Sequence, residues 1–414
     1  MTHSYRYDYM KQQFPKSIPR KSYLSQVAPF IGQRLIKVFT GQRRVGKSFL
    51  LFQLIDKIKA QNPQAHILYI NKEDLAFAAI KNAENLNDYV EQHRSKTKIT
   101  YLFIDEIQDI ENFETALRSL LLDERLDIYC TGSNANLLSG DVAGYLSGRS
   151  IEINVYSLSY QEFLLFHNLE NNAASLDSYL KYGGLPYLKH LPLEEPIVFE
   201  YLKNIYSTIV FKDIINRHSL RNTKFLEQLV FFLASSTGSL FSAKKISDFL
   251  KSQKINMAPN QVQLYIQHLV NAFLIHPVKR YDIEGKRLFE VGEKYYFEDL
   301  GIRNALWGYR LEDRGKILEN AVHNHLLTEG YQVTVGILND KEIDFIAQKN
   351  NEKLYIQAAL SLFEPKTIDR EFGNLKKIND NYPKMVVTME PFSGNTIEGI
   401  VPIDLRGFLT NTWK

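Results

Sequence analysis

The stretch VFTGQRRVGKSFLL, Val38 to Leu51, constrains this chain more than any other. An apolar run breaks into glycine and arginine, reaches Gly46-Lys47-Ser48, and resumes as apolar sequence. Gly41 and Gly46 complete the pattern G-x-x-x-x-G-K-[ST]. Leu35–Phe39 before it reads as a strand, and Phe49–Ile55 after it as a helix buried on most sides. Strand, loop and helix are the setting in which loop N–H groups and a helix N-terminus converge on an anion. The glycines permit positive φ and close backbone approach. Lys47 would neutralise β and γ phosphates, and the Ser48 hydroxyl would ligate Mg²⁺. Gly41, Arg43, Arg44, Val45, Gly46, Lys47, Ser48 and Phe49 form the expected nucleotide contact. Arg43 and Arg44 reach either phosphate or a covering domain.

A hydrolysing phosphate loop needs a second strand that ends in a carboxylate. Thr100–Ile104, followed by Asp105-Glu106, supplies it. Asp105 would hold the metal and Glu106 would polarise the attacking water. Alone, each would read as an exposed loop acid. Another strand, Leu126–Cys130, ends in Thr131-Gly132-Ser133-Asn134. Ser133 or Asn134 would sense the γ-phosphate or cap the following helix. Arg149 reads either as an arginine finger, in its own chain or a neighbour's, or as a surface residue before the strand Ile151–Val155. Asn134 and Arg149 join Lys47 and Glu106 as candidate catalytic residues. With Ala65–Asn71 as a further strand, residues 1–155 alternate strand and helix: a parallel-sheet α/β P-loop NTPase domain.

Composition narrows the class. The chain has 414 residues, enough for two or three domains, and 44% hydrophobic content supports real cores. A net charge of +3 neither favours nor excludes nucleic acid. Cys130 is the single cysteine, which rules out an intrachain disulfide and a cysteine-type zinc site. The polar, tyrosine-rich amino-terminal segment lacks a secretory h-region, and no apolar run reaches the ~18 residues of a membrane span. The expectation is a cytoplasmic protein without membrane contact.

These residues resemble the prokaryotic AAA-type P-loop ATPases that carry the domain of unknown function numbered 4143 (DUF4143) in their C-terminal half. The matching segments are GQRRVGKS, LFIDEIQ, TGSNANLLSG with LSGRS, SLSYQEFL, YGGLPYL, KDIINR, KYYFEDLG and EIDFI, in order along nearly the whole chain. The resemblance implies ATP rather than GTP and makes Ser133 or Asn134 similar to sensor 1. It also implies that residues 156–222, with the Tyr182–Pro186 break, form a helical lid. The break is equally a plain helix stop.

Residues 223–312 read as three helices and a hairpin, a winged helix-turn-helix. Its third helix, Asn260–Phe273, has Asn and Gln suited to adenine but no Arg or Lys. Lys244, Lys245, Lys251, Lys279, Arg280, Lys286 and Arg287 would hold duplex DNA phosphates or form a solvated face. From 313 to 414, Glu319 on a helix and Asp344 on a strand echo a restriction-endonuclease-like arrangement. Gln357 stands where a carboxylate is usual, and Ala359 where the lysine belongs. An alanine carries no charge, so a degenerate nuclease shell is expected. His323 and His325 lie two apart on a helix and face different ways, so they are not a metal pair. The leading expectation is an ATPase that couples its nucleotide state to this C-terminal half. The alternative is a nucleotide switch or DNA-binding protein with little turnover, recruiting a protein partner or its own copies.

Overall fold

The computed structural model describes residues 17–138, 144, 146, 148–339, 341–391 and 396–413. The amino-terminal tail, the Ser139-Gly140 end of the sensor-like stretch and the Arg287 side chain expected on the wing lie outside the described ones. The chain divides into two units: residues up to Val155 with Asn271–Phe273, and the remainder.

The first unit is built on five strands: β1 (Ile36–Thr40), β2 (His66–Asn71), β3 (Thr100–Asp105), β4 (Leu126–Gly132) and β5 (Ser150–Asn154). All pair in parallel, in the order β2-β3-β4-β1-β5. Helices α1 (Lys21–Val27), α2 (Lys47–Gln61), α3 (Ala83–His93) and α4 (Phe113–Leu120) accompany them. A parallel sheet covered on both faces demands apolar strands, and every residue of β1 and β4 is buried. Ile36, Val38, Ile104, Ile128 and Cys130 join Leu86, Val90 and Leu117 of the helices in one core. Lys37 of β1 and Asp127 of β4 are the charged exceptions; the Lys37 ammonium meets the Asp127 carboxylate inside the sheet and donates to Gln33 O at 2.7 Å. Burial lowers its pKa although Asp127 opposes this.

The second unit begins with α5 (Tyr160–His167), α6 (Ala173–Tyr182) and α7 (Glu195–Thr208), and a π-helical segment Ile209–Asn216 continues α7. Then come α8 (Thr223–Ser235), β6 (Leu240–Phe241), α9 (Ala243–Ser252), α10 (Pro259–Asn271), β7 (Ile275–Asp282) and β8 (Arg287–Phe297). Ser242 caps α9 by accepting from the Lys245 N–H. Helices α11 (Leu300–Trp307) and α12 (Arg314–Thr328) lead into β9 (Gln332–Leu338), β10 (Lys341–Lys349) and β11 (Glu352–Ala359). The chain closes with α13 (Pro365–Lys376), β12 (Lys384–Thr388), β13 (Ile400–Asp404) and α14 (Leu405–Leu409).

The expected hairpin is present, but it is not a free wing. Arg280–Asp282 of β7 pair in parallel with Val335–Ile337 of β9. One eight-stranded sheet results, in the order β13-β12-β11-β10-β9-β7-β8-β6. The expected boundary between 312 and 313 is therefore no break in the sheet. The reason is the strand edge: β7 unpaired on one side would leave a row of N–H and C=O groups open, and β9 covers it.

The segments SLSYQEFL, YGGLPYL and KYYFEDLG meet in a buried polar knot. Asp299 accepts from Gly184 N at 2.7 Å and Ile302 N at 3.0 Å, capping α11. Gly184 O accepts from Leu158 N at 2.7 Å. Glu298 accepts from Ser157 N at 2.7 Å and contacts His276 at 2.6 Å. Gly183 has φ of 76°, and a Cβ there would lie 2.4 Å from an Asp299 oxygen. These motifs mark tight packing. Asp299→Ala leaves two interior N–H groups unpaired and should cost about 2–4 kcal/mol, read by denaturant unfolding. Burial pushes the Asp299 carboxyl up to about 6, against the Gly184 and Ile302 hydrogen bonds. The folded chain then binds the extra proton, so this contribution is full below about pH 4 and lost as pH rises through 6. Asp299→Asn should remove that fall from the pH profile of Tm.

Candidate nucleotide site

Parallel register brings the carboxyl ends of three strands to one edge. Thr40 pairs with Gly132, and Ile104 with Cys130, so β4 lies between the loop strand β1 and the acid strand β3. Two strand spacings, about 10 Å, separate the loop from the acids. A phosphate chain fits that gap.

The loop's backbone explains its glycines. Gly41 has φ of 149°, and a Cβ on it would stand 2.1 Å from Val155 O, so the approach of the chain just after β5 requires glycine there. Gly46, with φ of 97°, precedes the first turn of α2. Arg44 lies between them at φ of 71°, unusual for a residue with a Cβ. The Lys47 ammonium is buried and donates to Gly41 O and Gln42 O, each at 2.9 Å. Val45 is buried, whereas Phe49 is exposed on the outer side of α2.

The acids are held from several directions. The Asp105 carboxylate accepts from the hydroxyls of Ser48 and Thr131, and from Tyr69 Oη at 3.0 Å. Burial raises its pKa, with Ser48 and Thr131 opposing and the Glu106 charge adding to the rise. Thr131 Oγ1 also accepts from Glu106 N at 2.9 Å, so one hydroxyl spans both acids. Glu106 sits at φ of 57°, a left-handed conformation that turns its side chain out of the strand direction. Its carboxylate accepts from Gln108 Nε2 and from Ser133 Oγ at 3.2 Å. Burial opposes the Glu106 charge, but Lys47, Arg43 and those hydrogen bonds outweigh it and hold the carboxyl below its ordinary value. Glu106 is thus ionised beside a lysine.

The Ser48 hydroxyl and Asp105 carboxylate are hard oxygen donors already in contact. That pair fits Mg²⁺, which keeps water and phosphate oxygens in its other positions. Among the described residues no three His, Cys, Asp or Glu side chains converge as a full protein cage.

The arginines separate. Arg43 is buried, acts on Glu106 and pairs with Glu73 at 3.1 Å, while Arg44 is exposed at the crest of the loop. Arg149 precedes Ser150, which pairs with Ile36 at the amino end of β1. It stands at the opposite edge of the sheet from the loop, so the own-chain finger reading is corrected: the length of β1 lies between them. Its neighbours around an open cavity are Arg34 and Arg118. Ser133 touches Glu106, and Asn134 is buried one residue further, its carbonyl accepting from Leu137 N at 3.2 Å. Tyr69 and Gln108 were missed. Tyr69 gives no signal in sequence, but Gln108 follows the acid pair by two residues, within LFIDEIQ.

Residues 33–164 match the profile of a family described as an AAA domain. Residues 173–313 match a domain of unknown function, DUF8612, rather than the one numbered 4143; that expectation is corrected. Three of the segments behind it, SLSYQEFL, YGGLPYL and KYYFEDLG, are the packing residues of the buried knot and mark a fold more than one numbered family. An uncharacterised protein of Haemophilus influenzae is 38% identical over 92% of this chain and 96% of its own length. An uncharacterised protein of Methanocaldococcus jannaschii is 28% identical, over 88% and 84%. Among solved structures, Aeropyrum pernix ORC1 in complex with DNA overlaps 70% of this chain and 93% of its own, at 12% identity and a TM-score of 0.33. A DNA replication initiation factor overlaps 52% and 67%, at 19% and 0.29. Likeness at that level carries no weight for fold or function. No helix among the described residues is long and apolar enough to cross a membrane.

Thr131→Val keeps the shape of β4 but removes the hydroxyl shared by Asp105 and Glu106. The loss of one buried hydrogen-bonding group should cost about 1–2 kcal/mol of folding stability, read by denaturant unfolding.

Proposed function

Because the chain belongs to the family of its Haemophilus influenzae relative and carries an AAA domain, we propose that it binds ATP with Mg²⁺ and hydrolyses it. The observation that carries this reading is the meeting of Ser48 from the loop helix with Asp105 from the acid strand, next to an ionised Glu106. The choice of ATP over GTP rests on the family resemblance.

Loop N–H groups from Gly41 to Ser48 bind the phosphates, and the Lys47 ammonium exchanges the Gly41 and Gln42 carbonyls for phosphate oxygens. Ser48 and Asp105 hold the Mg²⁺, which when bound neutralises charge on those oxygens. Glu106 accepts the proton of the attacking water, and its charge at neutral pH suits a general base. Gln108 and Ser133 orient that carboxylate. Arg43 adds positive charge at the phosphate end. Asn134 lies within the same strand end, suited to sensing. Arg149 would serve as a finger for a neighbouring copy.

Coupling to the second unit is part of the proposal. Val155, against which Gly41 packs, is followed within two residues by Ser157, whose N–H is held by Glu298. A shift of the loop is thereby carried along the chain itself.

A second reading, duplex DNA binding, is favoured by the order helix–strand–helix–helix–strand–strand from α8 to β8, that of a winged helix, ahead of an endonuclease-like end. Helix α10 exposes Asn260, Gln261, Gln263 and Gln267, and Lys244, Lys245, Lys251, Lys279 and Lys286 are exposed nearby in sequence. Fluorescence anisotropy with duplex DNA should then weaken steeply with salt; salt-independent or absent binding removes this reading.

For the ATPase, Lys47→Ala should abolish Mg·ATP binding by calorimetry. Glu106→Gln should keep binding and lose turnover by about 10²-fold or more. Wild-type turnover in both variants would end the assignment. One tightly retained nucleotide per chain, without repeated turnover, would favour the switch instead.

A further inference from the structure

The chain passes between its two units after Val155, before Asn271 and after Phe273. Two adjacent residues of the phosphate loop meet those passages. Gly41 packs against the Val155 carbonyl, and the Gln42 side chain donates from Nε2 to Phe273 O at 3.1 Å. Asn271–Phe273 belong to the first unit, where helix α10 ends, and β7 starts two residues later at Ile275. Gln42 therefore fastens a turn that lies 231 residues further along the chain.

The geometry of the helix end frees that carbonyl for the loop. Phe273 has φ of 54°, the left-handed conformation in which many helices stop, most often at glycine. Leu274 N donates back to Leu269 O at 3.0 Å and closes the last turn of α10. Leu274 O accepts from Glu298 N at 3.1 Å, so the same residue that ends the helix begins the strand pairing.

Packing alone does not call for glutamine at 42. The side chain is fully buried, and its Oε1 finds no donor among the described residues. An apolar side chain of similar length would fill the space without leaving an acceptor unpaired in the interior, which costs free energy. Reversing the amide gives no relief, because its oxygen would then face the Phe273 carbonyl oxygen. What glutamine adds is the bond to the turn. On its backbone side the same residue meets the phosphate machinery: Gln42 O accepts from the Lys47 ammonium at 2.9 Å. One residue thus holds the lysine through its carbonyl and the α10–β7 turn through its amide.

On the reading that this loop binds nucleotide, we propose that Gln42 is a positioning residue that transmits occupancy of the loop to the α10–β7 turn. When phosphate takes the Lys47 ammonium from the Gln42 carbonyl, several loop N–H groups close on the ligand and the loop loses freedom. The turn fastened to Gln42 then opens less often. By linkage, a fixed turn favours the occupied loop to the same degree. Gly41 and Gln42 act at different passages, one on the chain entering the second unit and the other on the end of α10.

Hydrogen exchange of the full chain, with and without saturating Mg·ADP, tests this. ADP keeps the β-phosphate that Lys47 reaches and is not turned over. In wild type, exchange should slow both in the loop, residues 41–48, and in the turn, residues 272–275, the latter by about fivefold or more. Gln42→Met keeps the shape and loses the donor, while Gln42→Asn carries the amide on a shorter arm. Each at its own saturating Mg·ADP should slow in the loop and no longer in the turn. A glutamine with only a structural role would alter the ligand-free rates of the variants and leave the response of the turn to nucleotide in place; that result overturns the proposal. So does a wild-type response confined to the loop. No response in either segment, with no heat of binding by calorimetry, sinks the nucleotide reading and the role of Gln42 together. Should Gln42→Met fail to fold, Gln42→Asn and the wild-type comparison still decide.

Discussion

Everything in the first unit depends on β4 lying between β1 and β3. A parallel sheet aligns carboxyl ends, and the inserted strand fixes the distance between the loop and the acids. It also supplies the side chains that hold those acids. Thr131 reaches Asp105 and the Glu106 N–H, and Ser133 reaches the Glu106 carboxylate. Two of the residues that carry positive φ without being glycine, Arg44 and Glu106, also lie here. For Glu106 the hydrogen bonds with Thr131, Ser133 and Gln108 hold that conformation.

The second unit is organised by buried polar anchors as well as by apolar packing. Asp299 and Glu298 fasten the Ser157–Leu158 and Gly183–Gly184 backbone. Asn320 of α12 exchanges two hydrogen bonds with the Phe297 backbone, at 2.9 and 2.8 Å. Arg303 is fully buried and pairs with Asp313 at 2.6 Å while donating to Ala234 O at 2.9 Å. Removing one partner from such an anchor costs far more than the bond contributes when made, because the other partner stays buried and unpaired. These anchors account for segments that mark a fold without announcing a chemistry. Lys294 of β8 likewise pairs with Glu319 of α12 at 3.2 Å and Glu342 of β10 at 2.7 Å, and lies 3.9 Å from Asp344.

Much of the candidate site was legible because its signals are local. Gly41 to Ser48 is one continuous segment, and Asp105-Glu106 closes an apolar strand. The helices α8, α9 and α10 were legible from periodicity and from the Ser242 cap. Tyr69 was not, since a tyrosine inside an apolar strand looks like core until its neighbour is known. The pairing of β7 with β9 was not legible either, since 49 residues, 283–331, separate the two strands and no pattern within either names its partner.

The sequence by itself determined the phosphate loop, its acid pair and the alternation that makes a parallel sheet, because each is a property of neighbouring residues and of period. Only the tertiary structure decided which arginine faces the acids, that Arg149 lies at the far edge of the sheet, that the hairpin is fused into an eight-stranded sheet, and that Lys294 stands among Glu319, Glu342 and Asp344. Those are distances between residues far apart in the chain. They are set by strand order and sheet coiling, which a linear pattern does not encode.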